Sequence, residues 1–139
     1  MENLIIDTNI VDYYLDNDSL IMAKFQQEVI LNKLFISAIS YYEIKRGLFE
    51  LKRKFGKSPK LEAFNLMLET IFERRILMLE KLETFDCAIN ICGYFTKIGR
   101  SYRDNDILIA ATTITNDMTL VTNDGDFGNV VGLKTTNWK

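Results

Sequence analysis

The sequence predicts one α/β domain with a small parallel sheet of about four to five strands flanked by helices. Short apolar runs alternate with segments of helical periodicity along the whole chain, which is typical of a parallel sheet covered on both faces. Of the 139 residues, 47% are hydrophobic and 26% are charged, a composition typical of globular proteins. No linker, repeat or low-complexity segment interrupts the pattern, so we expect a single domain over residues 1–139.

The first part of the chain contains two predicted strands. Strand one is the run "NLIID" at 3–7, and strand two is "LFISA" at 34–38. Between them, "NIVDYYLDN" at 9–17 predicts a short helix that ends in a polar loop, and a second helix is predicted over 19–32.

A helical hairpin is predicted to follow strand two. Its first helix ends at Gly56, in the position after a helix where glycine is favoured, and its second begins with Ser58 as the cap and Pro59 in the first turn. The apolar stripes expected to be buried are Ile44, Leu48, Leu51 and Phe55 on the first helix, and Leu61, Phe64, Leu68 and Phe72 on the second.

The remaining strands and helices complete the alternation. The run "ILMLE" at 76–80 predicts a third strand, and "TLVT" at 119–122 predicts a fourth. One helix is predicted over 83–98, another from "RDNDILIAATTI" to about residue 116, and "GLKTTNW" is a possible fifth strand. The buried side of the helix over 83–98 is expected to carry Phe85, Ile89, Cys92 and either Phe95 or Ile98.

Composition excludes several kinds of protein. The chain has no histidine, which removes imidazole acid–base pairs, Ser-His triads and nearly all familiar zinc sites. No uncharged run approaches the roughly 18 apolar residues of a membrane helix, and no secretory signal precedes strand one, so we expect a cytoplasmic protein. Cys87 and Cys92 do not match a zinc spacing and are expected to be reduced core thiols. A net charge of −2 gives no global sign of nucleic-acid binding.

Four acidic residues are placed at the ends of predicted strands. Asp7 ends strand one, and Glu43 lies in the first turn of the helix after strand two. Asp106 opens the helix that leads to strand four, and Asp124 follows that strand. Because binding sites of open α/β sheets form beyond the carboxyl ends of the strands, we expect the four carboxylates to meet at one edge.

Each of these acids also has a purely structural explanation. The alternatives are a helix cap for Asp7 or Asn9, a capping box of Ser40 and Glu43, a cap or dipole partner for Asp104 or Asp106, and a turn at Asp124. Capping alone would scatter acids over both edges of the sheet, whereas these four are predicted to share one. The set therefore favours a functional site.

A shared edge of carboxylates predicts a divalent cation. Two carboxylates about 4 Å apart repel by about 4 kcal/mol at an effective dielectric of about 20, and only Glu43 has close basic neighbours in sequence. Oxygen ligands select Mg²⁺ or Mn²⁺, which commonly handle phosphate esters. The candidate metal ligands are Asp7, Asp106 and Asp124, with Glu43 as a further ligand or the group that positions an attacking water. The residues expected to orient these acids are Thr8, Asn9, Ser40, Asn105, Thr122 and Asp126.

At these residues the chain resembles the PIN-domain ribonucleases, in particular the VapC-type toxins of bacterial and archaeal toxin-antitoxin modules. The resemblance is carried, in order, by "IIDTN" with Asp7, "ISAISYYEIKRG" with Glu43, "NDILIAA" with Asp106, "LVTNDGDF" with Asp124, and the terminal "LKTTNW". It spans nearly the whole chain.

The resemblance implies a PIN-like fold and a Mg²⁺- or Mn²⁺-dependent endoribonuclease that hydrolyses RNA phosphodiester bonds. It also implies a homodimer and inhibition by a cognate antitoxin that covers the active site. The catalytic acids that it places on this chain are Asp7, Glu43, Asp106 and Asp124. Asp126 lies two residues further along and could share or take the fourth role.

Basic residues near the acids are candidate contacts for RNA. Lys45 and Arg46 follow Glu43 on the same helix, and Arg100 and Arg103 shortly precede the third acid. The alternative for the basic run around Lys45 is a solvated helix face, because Lys and Arg are good helix formers on any surface.

Two other functions compete with this one. The first is a metal-binding interaction module of the same fold without catalysis, which a test for metal-dependent RNA cleavage separates from the enzyme. The second is an aspartate-based phosphotransfer or phosphatase domain. A haloacid-dehalogenase-like phosphatase requires a second Asp where this chain has Asn9, and a receiver domain requires a Lys where it has Asn123 and Asp124.

Overall fold

Five parallel strands form the sheet of this protein, and the computed structural model describes residues 1–139. The strands are Asn3–Ile6 (β1), Lys33–Ser37 (β2), Ile76–Leu77 (β3), Thr119–Val121 (β4) and Lys134–Thr136 (β5). They are hydrogen-bonded in the order β3-β2-β1-β4-β5, and every pairing is parallel. The predicted parallel α/β sheet is therefore confirmed, with "GLKTTNW" supplying its fifth strand.

Six α-helices flank the sheet. They are Thr8–Leu15 (α1), Ser19–Leu31 (α2), Ala38–Phe55 (α3), Pro59–Thr70 (α4), Leu82–Lys97 (α5) and Asp104–Thr115 (α6), and a short 3₁₀ helix covers Gly125–Asn129. None of the helices combines the length and apolar character that crossing a bilayer requires.

The central strand β1 separates two hydrophobic cores. Successive side chains of a strand point to opposite faces, so Leu4 and Ile6 pack into one core while Ile5 packs into the other. The first core includes α1 to α4 and the aromatic pair of Phe25 and Trp138, whose rings meet edge to face at 5.1 Å. The second core lies under α5 and α6. Because both faces of β1 are covered, its carboxyl end is a buried position.

The predicted helical hairpin is confirmed in detail. Gly56 ends α3 with a φ of +78°, a left-handed conformation that favours glycine. The Ser58 side chain accepts a hydrogen bond from the Leu61 backbone N–H, and Pro59 occupies the first turn of α4. The residues predicted to be buried on the second helix are all buried: Leu61, Phe64 and Leu68 on α4, and Phe72 just after its end.

Two predictions about the apolar runs were wrong in extent. On α3, Ile44 and Leu48 are buried, but Leu51 is half exposed and Phe55 is exposed, because the end of this long helix extends beyond the core. The third strand comprises Ile76–Leu77 only, since it pairs with β2 alone at the edge of the sheet.

The buried side of α5 was predicted only in part. Phe95 faces the core as predicted, together with Thr84, Ala88 and Ile91. Phe85 and Ile89 are 40% and 66% exposed instead. Apolar residues occupy two sides of this helix, so their periodicity does not identify the side that packs. Cys87 and Cys92 are free thiols, as predicted, but each is half-buried rather than in the core.

Candidate active site

Asp7 lies where β1 meets α1, at the carboxyl end of the central strand. Its Oδ1 accepts a hydrogen bond of 2.8 Å from the Thr8 backbone N–H, so Asp7, and not Asn9, caps α1. Its Oδ2 accepts a second hydrogen bond of 2.8 Å from Thr122 Oγ1. The pKa of Asp7 is raised to about 6, chiefly by burial and also by the nearby charges of Asp106 and Glu43, against the lowering effect of the two hydrogen bonds.

Glu43 is held beside Asp7 by neutral donors. Thr8 Oγ1 donates to Glu43 Oε1 at 2.9 Å and lies 2.9 Å from Ser40 Oγ. Asn105 Nδ2 donates to Glu43 Oε2 at 3.3 Å. Three elements, α1, α3 and α6, therefore meet at this carboxylate.

The predicted capping box of Ser40 and Glu43 was wrong. The N-cap of α3 is Ser37, whose side chain accepts a hydrogen bond from the Ser40 backbone N–H. Because the helix begins three residues earlier than a capping box would require, Glu43 lies beyond the first turn. Its side chain is thus free to bond across to α1 and α6.

Asp106 is the only one of the four acids with a basic partner. Arg103 Nε donates to Asp106 Oδ2 at 2.9 Å, and its terminal nitrogen donates to Oδ1 at 3.3 Å. Asp106 is buried whereas the Arg103 side chain is 76% exposed. The pKa of Asp106 is raised because burial outweighs the lowering effect of Arg103, and the pKa of Arg103 is raised by this carboxylate.

This ion pair corrects one expectation from the sequence. Basic neighbours were expected only at Glu43, yet Lys45 donates instead to Tyr41 Oη at 3.0 Å, and Arg46 lies over the Tyr42 ring. Arg103 binds an acid of its own chain in this structure, and its contact with RNA stays a prediction. It also occupies the N-cap position of α6 without a side-chain cap, so neither Asp104 nor Asp106 is the cap.

Asp124 follows β4 and is linked to Asp7 through Thr122. Thr122 Oγ1, which donates to Asp7, also accepts a hydrogen bond of 3.0 Å from the Asp124 backbone N–H. Asp124 Oδ1 accepts from the Asp126 backbone N–H at 2.9 Å. Asn9 binds the same loop, since its Oδ1 accepts from the Asn123 backbone N–H at 3.4 Å.

The four acids thus lie at one edge of the sheet, but they do not form a ready-made metal cage. No three of the chain's acidic or cysteine side chains are close enough together to hold a metal ion in this structure. Hydrogen bonds from neutral groups hold Asp7 and Glu43, and Arg103 holds Asp106. The donor set nevertheless fits a hard cation, because every donor is oxygen and Asp7, Glu43 and Asp124 have no positively charged partner.

Tyr102 is a residue of this site that the sequence did not identify. Together with Ser101, Arg103, Asp106, Asp124 and Asp126 it lines a cavity of about 410 Å³. Its hydroxyl oxygen is buried and has no hydrogen-bond partner. A tyrosine between two helices has no spacing or motif that would connect it with the acids, so only the structure reveals it. Arg100, another candidate RNA contact, is exposed and lies beside Tyr102.

Comparison with known proteins agrees with this architecture. The family model described as "PIN domain" matches residues 4–133. The chain is 29% identical to Ribonuclease VapC2 of Haemophilus influenzae, with 99% of each protein covered. Among solved structures, VapBC2 from Rickettsia felis, bound to a DNA fragment from its promoter, matches with a TM-score of 0.79 at 24% identity over 99% of both chains. VapBC-1 from nontypeable Haemophilus influenzae matches with a TM-score of 0.76 at 23% identity over 98% of both chains.

Proposed function

The chain belongs to the PIN-domain family, and we propose that it is a Mg²⁺- or Mn²⁺-dependent endoribonuclease, the toxin of a toxin-antitoxin pair. The observation that carries this proposal is the environment of Asp7. A buried carboxylate without a cationic partner ends the central strand. Asp106 and Glu43 lie close enough to raise its pKa, and Asp124 is linked to it through Thr122. A chain without histidine offers no other strong acid-base group at this edge of the sheet.

Asp7, Asp106 and Asp124 are the residues that would hold the cation, and Glu43 lies beside them. Mg²⁺ or Mn²⁺ bound there supplies charge neutralisation at the scissile phosphate and lowers the pKa of an attacking water. The buried Asp7 is already oriented for this role by Thr8 and Thr122, which bind one carboxylate oxygen each and leave further lone pairs free.

Glu43 orients the attacking water in this proposal. Thr8 and Asn105 each donate to one of its oxygens, so the carboxylate is fixed between α1 and α6. A carboxylate fixed in this way can accept a proton from a water held against the phosphate. Arg103 lies three residues before Asp106 in sequence. If Asp106 bound the divalent cation, Arg103 would be free to contact the RNA backbone.

The protein partners are also part of the proposal. We propose that a cognate antitoxin covers the acid edge, in keeping with the resemblance to VapC-type toxins. A homodimer is supported by the outer side of α5, where Leu82, Phe85 and Ile89 are exposed at the three- and four-residue spacing of a helix-packing stripe.

The proposed function is tested by comparing the rates at which wild type and Asp106→Asn cleave RNA, with Asp104→Asn as the matched control. Both acids lie in the first turn of α6, but Asp104 is exposed and makes no side-chain bond to the site. With Mn²⁺ present, we expect wild type and Asp104→Asn to cleave a labelled RNA, and Asp106→Asn to lose about 10²–10³-fold in rate, as when one group that stabilises developing charge is removed.

Chelation completes this experiment. EDTA should stop cleavage by wild type, and excess Mn²⁺ should restore it. Purified wild-type protein that leaves RNA intact with either metal, or cleaves it equally in EDTA, would overturn the proposed function.

A further inference from the structure

Tyr102, in the loop between α5 and α6, is fixed in the wall of the acid site. Its ring stacks on Phe95, with 4.9 Å between centroids and an interplanar angle of 9°. The Phe127 ring meets it edge to face at 5.8 Å. Two aromatic side chains from separate elements therefore set the direction of the hydroxyl group.

This hydroxyl is a donor without an acceptor. Its oxygen is buried and has no hydrogen-bond partner, which is uncommon and unfavourable for a polar group inside a protein. Burial raises the pKa of Tyr102, and among the acids that raise it further Asp124 has the largest effect. The group therefore stays protonated and keeps a hydrogen to donate.

Asp124 is the one acid of the four with a carboxylate oxygen that accepts no hydrogen bond. In Asp7, both carboxylate oxygens accept hydrogen bonds, one from Thr8 and one from Thr122. In Glu43, both oxygens likewise accept, one from Thr8 and one from Asn105. Both oxygens of Asp106 are likewise bound by Arg103. In Asp124, Oδ1 accepts from the Asp126 backbone N–H, whereas Oδ2 has no donor. The two residues that carry the free donor and the free acceptor, Tyr102 and Asp124, line the same cavity.

We propose that Tyr102 is a positioning residue that donates to Oδ2 of Asp124 when the divalent cation binds, and so fixes this carboxylate for the cation. The inference rests on the proposed function. Asp124 is half-buried and bound through one oxygen, while Tyr102 is held by two aromatic rings, so the carboxylate is the group that would turn. The same pairing favours Asp124 over Asp126 as the fourth acid, because Asp124 is half-buried and held by a backbone N–H, whereas Asp126 is exposed.

Binding of Mn²⁺ to Tyr102→Phe tests this role, with Tyr94→Phe as the matched control. Phenylalanine keeps the ring stacking and removes only the hydroxyl. Tyr94 also packs against the Phe95 ring, at 5.9 Å, but lines a different cavity. By isothermal titration calorimetry we expect about tenfold weaker Mn²⁺ binding by Tyr102→Phe and no change for Tyr94→Phe. Without metal, Tyr102→Phe should melt at the same temperature as wild type or higher, because an unpaired buried hydroxyl has been removed.

A double variant shows whether the effect passes through Asp124. Asp124→Asn should weaken Mn²⁺ binding, and adding Tyr102→Phe to it should cause little further loss. Full additivity of the two losses, or wild-type affinity in Tyr102→Phe, would overturn the positioning role. A wild-type chain that does not bind Mn²⁺ would instead overturn the metal site itself, and the role of Tyr102 with it.

Discussion

The starts of α1 and α2 show the same residue in opposite electrostatic environments. Asp7 caps α1 and Asp18 caps α2, and each side chain accepts a hydrogen bond from a backbone N–H of its helix. Asp18 is also bound by the ammonium group of Lys139, which together with the backbone bond from Ile21 lowers the pKa of Asp18. Asp7 has no such cation, and burial raises its pKa to about 6.

This difference separates capping from function. A helix cap requires only an oxygen that faces the backbone N–H groups, and Asn serves as well as Asp in that role. The Asp7 side chain is 4% exposed, has no counter-ion and is close to two further acids. Its negative charge therefore does not stabilise α1 more than an Asn cap would. We therefore attribute the charge of Asp7, as distinct from its cap, to the cation that the site is proposed to bind.

The largest expected effect is on stability in the absence of metal. Asp7→Asn keeps the cap and removes the buried charge, so it should raise the free energy of unfolding at neutral pH. The difference between a folded pKa of about 6 and the ordinary value of 3.8 corresponds to about 3 kcal/mol at about 1.4 kcal/mol per pKa unit. Urea unfolding in EDTA measures this change.

The matched variant Asp18→Asn should change stability in the opposite direction. It also keeps a cap, but it removes the partner of Lys139 and should lower the midpoint of unfolding. An Asp7→Asn variant that is less stable than wild type in EDTA would show that Asp7 is an ordinary structural aspartate.

The pH dependence sharpens the comparison. A raised pKa means that the folded state binds the proton more tightly than the unfolded state, so the penalty of ionised Asp7 is full above about pH 6 and disappears as pH falls below 3.8. The advantage of Asp7→Asn should therefore shrink as pH falls through this window. The pKa of Asp18 is lowered, so its contribution is present above the ordinary aspartate pKa and is lost as pH falls further.

Unfolding curves for wild type and both variants, at a series of pH values in EDTA, check this pair of trends. The free-energy difference between Asp7→Asn and wild type should diminish on acidification. A difference that stays constant from neutral pH down to the ordinary aspartate range contradicts the account of Asp7.

The smallest expected effect concerns Arg103. This residue forms an ion pair with Asp106, as Lys139 does with Asp18. Because the Arg103 side chain is 76% exposed, its ion pair contributes little, on the order of 0.2–1 kcal/mol. Arg103→Gln should therefore bind Mn²⁺ up to about fivefold more tightly, since it removes a competing cation. Arg100→Gln, which breaks no ion pair, is the control in the same titration. Weaker Mn²⁺ binding by Arg103→Gln would show that this arginine supports the metal site and does not compete for it.

Much of the site could be predicted because topology determines it. The alternation of strands and helices identified a parallel sheet, and the ends of parallel strands lie at one edge, which brought Asp7 and Asp124 together across 117 residues of sequence. The polar residues expected to orient the acids, such as Thr8, Asn105 and Thr122, are adjacent to them in sequence and do contact them.

The errors arose where several local patterns were equally possible. Ser37 and Ser40 can both cap a helix, and only the end of β2 decides between them. The packed side of α5 depends on which apolar stripe meets α6, information that lies outside the helix. The unpaired hydroxyl of Tyr102 results from packing against Phe95 and Phe127. Phe127 ends the motif "LVTNDGDF", but its contact with a loop residue of another segment cannot be read from the sequence.

The most direct test of the central claim is the position of Mn²⁺ in a crystal of the wild-type protein. Anomalous scattering at the manganese edge locates the ion independently of any assumption about its ligands. We predict a peak about 2.0–2.6 Å from carboxylate oxygens of both Asp7 and Asp106, with Arg103 displaced from Asp106. A map without a peak at the carboxyl end of β1, or with Mn²⁺ bound only at acids elsewhere on the surface, would contradict the account.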